Sequence, residues 1–188
     1  METTILGHRF SAPFFISPCA GGGLPSMASS VSMEAIAAGR PRKDQVLFQQ
    51  IYVTDNQTAN KLLFQRIEKT GAKAMVLTVD SAGDRARHRA LRFQENTNLT
   101  RYSSYIPMTW GIYKDLQKLT KLPIVPKGIQ TVEDAKKAIE VGAPAIFLSN
   151  HGGRALDGSR SPFEVALETH RRAPEVFKKI EVYADGGV

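Results

Sequence analysis

A histidine and an arginine separated by two glycines form the most chemically specific stretch of this 188-residue sequence. In the segment 149–154 (SNHGGR), His151 can exchange a proton near neutral pH and Arg154 can hold a carboxylate through two parallel hydrogen bonds. The glycines between them remove side-chain bulk where the backbone must approach a ligand. The preceding apolar run, residues 145–148, is typical of a buried strand. The sequence therefore predicts a proton acceptor and an anion-binding group just beyond a strand end, with an ordinary strand-to-helix turn as the alternative.

Short apolar strands alternate with amphipathic helices along the chain, which predicts an α/β fold with a parallel sheet. Strands are predicted at 14–16, 46–53, 74–79, 122–125, 145–148 and 180–184. Helices are predicted at 32–37, 58–69, 113–119, 131–141 and 163–171, and residues 111–113 look inserted before the third of these. The strand at 74–79 carries no charge, as expected of a strand buried on both faces. Periodicity alone does not distinguish an open sheet from a closed barrel.

Polar side chains gather at the carboxyl ends of the predicted strands. They are Ser17, Tyr52, Thr78, Asp80, Lys127, His151, Arg154 and Asp185. In a barrel of parallel strands these ends meet at one rim, which is where the active sites of such barrels lie. The sequence thus predicts a single site at that rim.

The composition restricts the possible classes of function. The chain is 42% hydrophobic, enough for one globular domain spanning residues 1–188, and its formal net charge is +7. Its basic residues are spread over many segments without a zinc-ligand set or an RNA-binding motif, so we expect neither a metal nor nucleic acid. No run approaches the roughly 18 to 20 apolar residues of a membrane span, and no signal peptide is visible. The single Cys19 fits a reducing compartment, so we expect an intracellular protein of the cytoplasm, mitochondrion or peroxisome.

The segment SNHGGR-x-LDG resembles the signature of the FMN-dependent 2-hydroxy-acid oxidoreductases, which include glycolate and lactate oxidases, mandelate dehydrogenase and flavocytochrome-type lactate dehydrogenase. Further pieces resemble that family in the family's own order, at residues 3–7, 13–20, 50–53, 77–80, 122–130 and 181–188. The resemblance implies a (β/α)₈ TIM barrel with FMN as cofactor. It also implies oxidation of a small 2-hydroxy acid to the 2-keto acid.

The resemblance implies a role for each matching residue. His151 resembles the family's general base, Asp80 the carboxylate that orients this base, and Arg154 the arginine that holds the substrate carboxylate. Tyr52 resembles a catalytic tyrosine that hydrogen-bonds the substrate, and Arg85 a second arginine near the substrate. Lys127 matches the lysine beside the flavin N1–C2=O edge, where a fixed cation stabilises the reduced flavin. The full set of implied cofactor-binding residues is Ser17, Ser26, Gln50, Thr78, Lys127, Asp185 and Gly187.

The match to the family has gaps. Residues 20–25, which include three consecutive glycines, replace part of the first βα unit by a flexible link. Pro126 stands where an aliphatic residue is usual, and its missing N–H is expected to disturb the position of Lys127. The sequence stops at residues 185–188 (DGGV), before the arginine and the Gly-Arg motif that bind the FMN phosphate in the family. We therefore expect an incomplete, C-terminally truncated barrel that lacks the last strand and its helices, exposes a sheet edge and binds FMN weakly.

Two other functions compete with the enzyme hypothesis. One is a catalytically impaired remnant of the family that acts as an interaction module, with homo-oligomers forming through the open edge. The other is a basic nucleic-acid-binding domain, which would show a steep salt dependence of binding. The motifs favour the enzyme, with a small 2-hydroxy acid as its partner and oxygen, a quinone or a cytochrome as the electron acceptor.

Overall fold

A five-stranded parallel sheet is the framework of the protein in the computed structural model, which describes residues 2–15, 17, 33–40, 44–81 and 106–187. Its strands are β3 (Phe48–Ile51), β4 (Ala74–Thr78), β5 (Ile124–Ile129), β6 (Ala145–Ser149) and β7 (Glu181–Asp185), each paired with the next in chain order. Before them, β1 (Thr3–Ile5) and β2 (His8–Phe10) form an antiparallel hairpin. Because the strands of the sheet are parallel, all their carboxyl ends lie at one edge of the sheet.

One described helix precedes the sheet in the chain, and the others lie between its consecutive strands. In chain order, the helices are α1 (Met33–Ala38), α2 (Gln57–Lys69), α3 (Trp110–Gln117), α4 (Val132–Glu140), α5 (Pro162–Arg172) and α6 (Val176–Lys179). Within the described ranges, no helix combines the length and the apolar character that crossing a bilayer requires.

Each strand buries its two faces in different surroundings, because successive side chains point to opposite sides of a sheet. Met75 and Leu77 of β4 and Ile146 of β6 belong to the main core, together with residues of the helices. On the opposite face, a second apolar cluster contains Val76, Val125, Ala145 and Phe147. Further along the same face, at the carboxyl ends, the side chains become polar: Gln50, Thr78, Lys127, Ser149 and Asp185. This face therefore carries an apolar layer below a polar rim.

The N-terminal hairpin covers the apolar layer. The backbone N–H of Leu6, in the turn between β1 and β2, donates to both carboxylate oxygens of Glu181 at 3.0 and 3.2 Å, and the Leu6 side chain packs on the apolar layer. The hydroxyl of Tyr183 also donates to Glu181. Burial raises the pKa of Tyr183, so this phenol remains protonated and keeps its role as a donor. These contacts close the amino end of the layer, opposite the polar rim.

The predicted alternation of strands and helices is confirmed, with one exception among the strands. Phe14 and Phe15 form no strand, and Ile16 lies outside the described residues. Phe15 is held by ring contacts, since its centroid lies 5.1 Å from that of Phe147 and 6.2 Å from that of Tyr183. The segment therefore contacts the sheet through side chains. The predicted strand would instead have contacted it through backbone hydrogen bonds.

The interpretation of residues 111–113 as an insertion before a helix is wrong. They form the first turn of α3, because the Thr109 side chain caps this helix by accepting from the backbone N–H of Ile112 at 3.2 Å. Tyr113 is buried and donates its hydroxyl to the Ile124 carbonyl at 2.6 Å, which fastens α3 to β5. The helix thus begins three residues earlier than its apolar spacing indicated.

Pro126 does not end β5 or displace Lys127. The strand continues to Ile129, and Lys127 pairs with Thr78, with its carbonyl accepting from the Val79 N–H at 2.8 Å. Backbone groups alternate in direction along a strand, so the donor that Pro126 lacks would face β6. The β5–β6 register shifts between Lys127 and Ile129, just beyond this proline. The missing N–H of Pro126 therefore affects the pairing of β5 with β6. The Lys127 side chain stays on the rim.

A capping box begins α5, the helix that follows the His-Gly-Gly-Arg segment. Ser161 accepts from the Glu164 N–H at 3.2 Å, and the Glu164 carboxylate accepts from the Ser161 N–H at 2.8 Å. Hydrogen bonds from the Ser161 backbone, and then from the Ser161 side chain, to the carboxylate lower the pKa of Glu164.

We predict that Glu164→Gln lowers stability in a pH-dependent way. Because the folded-state pKa of Glu164 lies below its ordinary value, its charge stabilises the fold fully at neutral pH. That contribution is lost as pH falls below the ordinary glutamate value of about 4.3. Urea midpoints of the two proteins should therefore differ at pH 7 and converge at low pH. Glu175, which makes no side-chain cap at the start of α6, provides the control variant Glu175→Gln. A difference between the urea midpoints of wild type and Glu164→Gln that grows on acidification would contradict the stabilising role of the Glu164 charge.

Candidate active site

Asp80 and His151 meet across an intervening strand. Asp80 follows β4 and His151 follows β6, yet Asp80 Oδ1 lies 2.8 Å from His151 Nδ1. The Asp80 side chain is 2% exposed and that of His151 17%. With a carboxylate as acceptor, Nδ1 must donate, and Nε2 remains as the nitrogen able to accept a proton from a ligand.

Gly128 makes this contact possible. It lies in β5, the strand between β4 and β6, and it has a φ of +111°. A Cβ at this position would lie 2.5 Å from Asp80 Cβ and 2.7 Å from its carboxyl carbon, closer than real atoms approach. The absence of a side chain at Gly128 therefore opens the path by which Asp80 crosses β5 to reach the imidazole.

Lys127 is the buried cation of the rim. Its ammonium donates to Ser149 Oγ at 2.8 Å and lies 3.1 Å from Asp185 Oδ1, with side-chain exposures of 6% for Lys127 and 8% for Asp185. The contact with Asp185 has the distance of an ion pair without hydrogen-bond alignment, because Oδ1 accepts no hydrogen bond within the described residues. Ser17 donates its hydroxyl to the other oxygen, Oδ2. A buried lysine is thus charge-compensated, and one carboxylate oxygen beside it is left as an acceptor without a hydrogen bond.

Gln50 and Thr78 extend the rim toward β3. The Gln50 side-chain amide donates to Thr78 Oγ1 at 2.7 Å and to the Ile51 carbonyl at 3.1 Å. Both side chains are buried, and Thr78 pairs with Lys127 in the β4–β5 register. The two residues therefore continue the polar rim from the buried lysine toward β3.

His151 lies in a left-handed turn held by two neighbouring side chains. The φ angles are +58° for His151, +66° for Gly152 and +68° for Gly153. A non-glycine residue in this region costs roughly 1–2 kcal/mol. Asn150 Oδ1 accepts from the N–H groups of Gly152 and Gly153 at 3.1 and 3.2 Å, and Ser149 Oγ accepts from that of His151 at 3.1 Å. At about 0.5–1.5 kcal/mol each, these hydrogen bonds suffice to offset the strain.

The structure brings together most of the predicted site residues that it describes. Those joined by direct contacts are His151 with Asp80, Lys127 with Asp185 and Ser17, and Gln50 with Thr78. Gly187 also joins the site, but its N–H donates to Asn150 Oδ1 at 3.0 Å. Ser26 and Arg85 lie outside the described residues.

Arg154 and Tyr52 lie beside the rim without joining these contacts. Arg154 is exposed and its guanidinium folds back over its own turn, where a Cβ on Gly152 would lie 3.2 Å from Nη2. No carboxylate among the described residues pairs with Arg154, so its charge is available to an anionic ligand. Tyr52 follows β3 and is 39% exposed.

Sequence reasoning missed three residues that organise the site: Gly128, Ser149 and Asn150. Ser149 is two residues from Phe147 on the same strand, so the alternation of β6 already placed it on the rim face. Asn150, followed by two glycines, has the composition of a turn closed by a side-chain amide. Nothing in the local sequence of Gly128 indicated its contact with Asp80, since that contact arises only from the order of the strands.

We predict that Gly128→Ala costs more stability than Gly142→Ala. Both glycines have positive φ, +111° and +75°, but a Cβ on Gly142 would meet nothing within 4 Å. Gly142→Ala should lose roughly 1–2 kcal/mol from backbone strain alone. Gly128→Ala should lose more than that, because the clash also drives Asp80 away from His151. Urea unfolding of the two variants measures the difference, and equal losses would show that the space above Gly128 does not matter.

Comparison with known proteins places this arrangement in a family. The chain matches the FMN-dependent dehydrogenase family over residues 22–106 and 94–188. It is 35% identical over 234 residues to L-lactate dehydrogenase (cytochrome) of Saccharomyces cerevisiae, in an alignment covering 100% of this chain and 40% of that protein. It is also 34% identical over 225 residues to human 2-hydroxyacid oxidase 2, covering 100% of this chain and 63% of that protein.

The solved structures similar to this chain include flavin domains. The flavin-binding domain of baker's yeast flavocytochrome b2 superposes with a TM-score of 0.83 and 34% identity, covering 100% of this chain and 55% of that one. A mandelate oxidase variant gives 0.81 and 31%, covering 100% and 61%. The predicted fold class is thereby confirmed as part of a TIM barrel, and the predicted cofactor, FMN, is indicated by the same matches. The match across nearly the whole sequence shows that the chain belongs to the FMN-dependent dehydrogenase family.

Proposed function

We propose that this protein oxidises a small 2-hydroxy acid to the 2-keto acid with FMN as the immediate electron acceptor. The single observation that carries the proposal is the buried Asp80–His151 contact of 2.8 Å at the rim. A carboxylate that holds Nδ1 in place presents Nε2 as a base of fixed orientation, which is what proton removal from a substrate requires. The relatives whose names specify lactate or a 2-hydroxy acid support the same class of substrate.

The residues of the rim fit FMN. The flavin ring has carbonyl oxygens and ring nitrogens that accept hydrogen bonds, and Lys127 and the Thr78 hydroxyl offer donors on one face of the sheet. Gln50 already donates both of its amide hydrogens, so it offers its side-chain oxygen as an acceptor for a flavin N–H. Asp185 Oδ1, buried and without a hydrogen bond, offers an acceptor for a ribityl hydroxyl. We propose that these four residues, with Ser17 supporting Asp185, hold the cofactor. When bound, FMN supplies the two-electron acceptor that no amino-acid side chain provides.

His151 removes a proton from the substrate in this proposal. Oxidation of the alcohol at C2 releases two protons and one electron pair as the C2–H and O–H bonds break and the C2=O bond forms. One proton goes to His151 Nε2, and bound FMN would take up the electron pair and the second proton. The carboxylate of Asp80 stabilises the positive charge that then develops on the imidazole. Because Asp80 is 2% exposed, water does not screen this interaction and its effect on His151 is strong.

Arg154 binds the substrate carboxylate in this proposal. Its guanidinium has the forked geometry that matches a carboxylate, and no acidic group among the described residues neutralises it. It follows the turn that carries the base, and we propose that it holds the carboxylate of a 2-hydroxy acid whose C2 faces His151. Tyr52, half-exposed at the end of β3, is proposed to hydrogen-bond the same substrate.

We predict that His151→Gln strongly slows substrate-dependent reduction of the bound flavin. The protein is titrated with FMN, made anaerobic and mixed with glycolate, lactate or mandelate while the flavin absorbance is followed. The wild type should bleach with at least one acid, and His151→Gln should bleach roughly 10²–10⁴-fold more slowly because the base is missing. His170→Gln is the matched control, since His170 is exposed on α5 and makes only an edge-to-face ring contact with Phe177 among the described residues.

Two outcomes of this experiment would contradict the proposal. Bleaching by no acid, with FMN demonstrably bound, would reject the proposed oxidation and favour a non-catalytic interaction module. Equal rates for His151→Gln and wild type would reject His151 as the base while leaving the reaction class intact.

We predict that Arg154→Lys raises the acid concentration that gives half-maximal flavin reduction by roughly 10- to 100-fold. A lysine keeps the charge but loses the bidentate hydrogen bonds, which are worth about 1.5–3 kcal/mol. Arg171→Lys, an exposed position on α5, is the matched control and should leave the concentration dependence unchanged. An unchanged midpoint for Arg154→Lys would remove this residue from the substrate site.

A further inference from the structure

A single side-chain oxygen joins the segment that carries His151 to the segment that follows β7. Asn150 Oδ1 accepts from the backbone N–H groups of Gly152, Gly153 and Gly187, at 3.1, 3.2 and 3.0 Å. Because three N–H donors converge on it, this atom must be the carbonyl oxygen of the amide and not its nitrogen. Asn150 is 5% exposed, so water does not compete for these bonds.

The two segments joined by Asn150 have different roles in the proposed site. Residues 151–153 form the left-handed turn that carries the base, and Gly187 follows Asp185, which faces Lys127. The fit around the amide is close, because a Cβ on Gly186 would lie 2.5 Å from Asn150 Oδ1. A second, indirect link runs through Ser149, whose Oγ accepts from the His151 N–H and from Lys127, which pairs with Asp185. Asn150 is the direct link between the turn of His151 and Gly187.

We propose that Asn150 is a positioning residue for His151: its side-chain oxygen holds the left-handed turn against Gly187 and so directs the imidazole toward Asp80. The positioning of a base rests on the proposed function, whereas the contacts themselves do not. Without this acceptor, the N–H groups of Gly152 and Gly187 lose their partner, whereas that of Gly153 keeps the Asn150 backbone carbonyl at 3.0 Å. The turn then loses its link to Gly187 and is free to leave its positive-φ conformation. The imidazole then separates from Asp80 although both residues remain in the chain.

The test is the protonation pattern of the His151 ring in flavin-free protein, read by ¹H–¹⁵N correlation NMR with ¹⁵N-labelled histidine. In the wild type the neutral ring should carry its proton on Nδ1 almost entirely, because Nδ1 donates to Asp80. In Asn150→Ala the Nδ1–H form should fall to less than half. Asn150→Asp retains an acceptor oxygen and should restore the wild-type pattern.

Asn60→Ala is the matched control. Asn60 is also buried, at 4% exposed, and its amide accepts from the Thr54 N–H at 3.0 Å and donates to the Thr54 carbonyl at 2.8 Å. This variant should lose stability while keeping the wild-type His151 spectrum, because Asn60 contacts neither segment. An unchanged spectrum in Asn150→Ala, or equal changes in Asn150→Ala and Asn60→Ala, would overturn the proposal.

Hydrogen exchange in the wild type gives a second measurement that does not depend on whether Asn150→Ala folds. The amides of Gly152, Gly153 and Gly187 should all exchange at least 10-fold more slowly than the exposed amide of Gly158. Exchange of the Gly187 amide at the unprotected rate would overturn the proposal by itself. Neither measurement requires activity, so a protein that fails to oxidise any acid can still confirm or reject the role of Asn150.

Discussion

The contact between Asp80 and His151 is the constraint around which the rim is arranged. The two residues follow strands that are not neighbours, so their side chains meet only if the strand between them presents no obstacle. Gly128 meets that requirement, and its φ of +111° is a conformation that side-chain-bearing residues avoid. The position of the His151 base thus depends on the absence of a Cβ at Gly128. The adjacent residue in the same strand, Lys127, lies on the same rim.

The rim is both polar and buried, which is possible because its polar groups form hydrogen bonds and an ion pair with one another. Lys127 is compensated by Asp185 and Ser149, and Gln50 is bonded to Thr78. An unpaired charge at such depth would cost several kcal/mol, so these pairings are conditions for folding as well as for binding. The oxygens left over, Asp80 Oδ2 and Asp185 Oδ1, accept no hydrogen bond among the described residues and lie beside the base and beside the cation. Two buried acceptors without a hydrogen bond therefore lie where a ligand is proposed to bind, and the third among the described residues, Ser159 Oγ, lies elsewhere.

The parts of the fold that were predictable are those specified by local sequence. Strands such as residues 74–78 are continuously apolar, and helices such as α4 begin at a recognisable cap, so both were placed within about two residues of their observed bounds. The start of α3 was misplaced because residues 111–113 were interpreted as an insertion and its cap, Thr109, was not recognised. Phe15 was assigned to a strand because its surroundings are apolar, but an apolar segment becomes a strand only when a neighbouring edge offers ladder hydrogen bonds.

The sequence by itself determined the alternation of strands and helices, the layer of polar residues at the strand ends and the family to which the chain belongs. These follow from residue type and spacing within short segments. Only the tertiary structure decided that Asp80 reaches over Gly128, that Ser149 links Lys127 to the turn of His151, and that Asn150 holds this turn against Gly187. Each of these contacts joins groups whose distance from one another is set by strand order and register. Local residue types do not specify that distance, so it is fixed only once the sheet has formed.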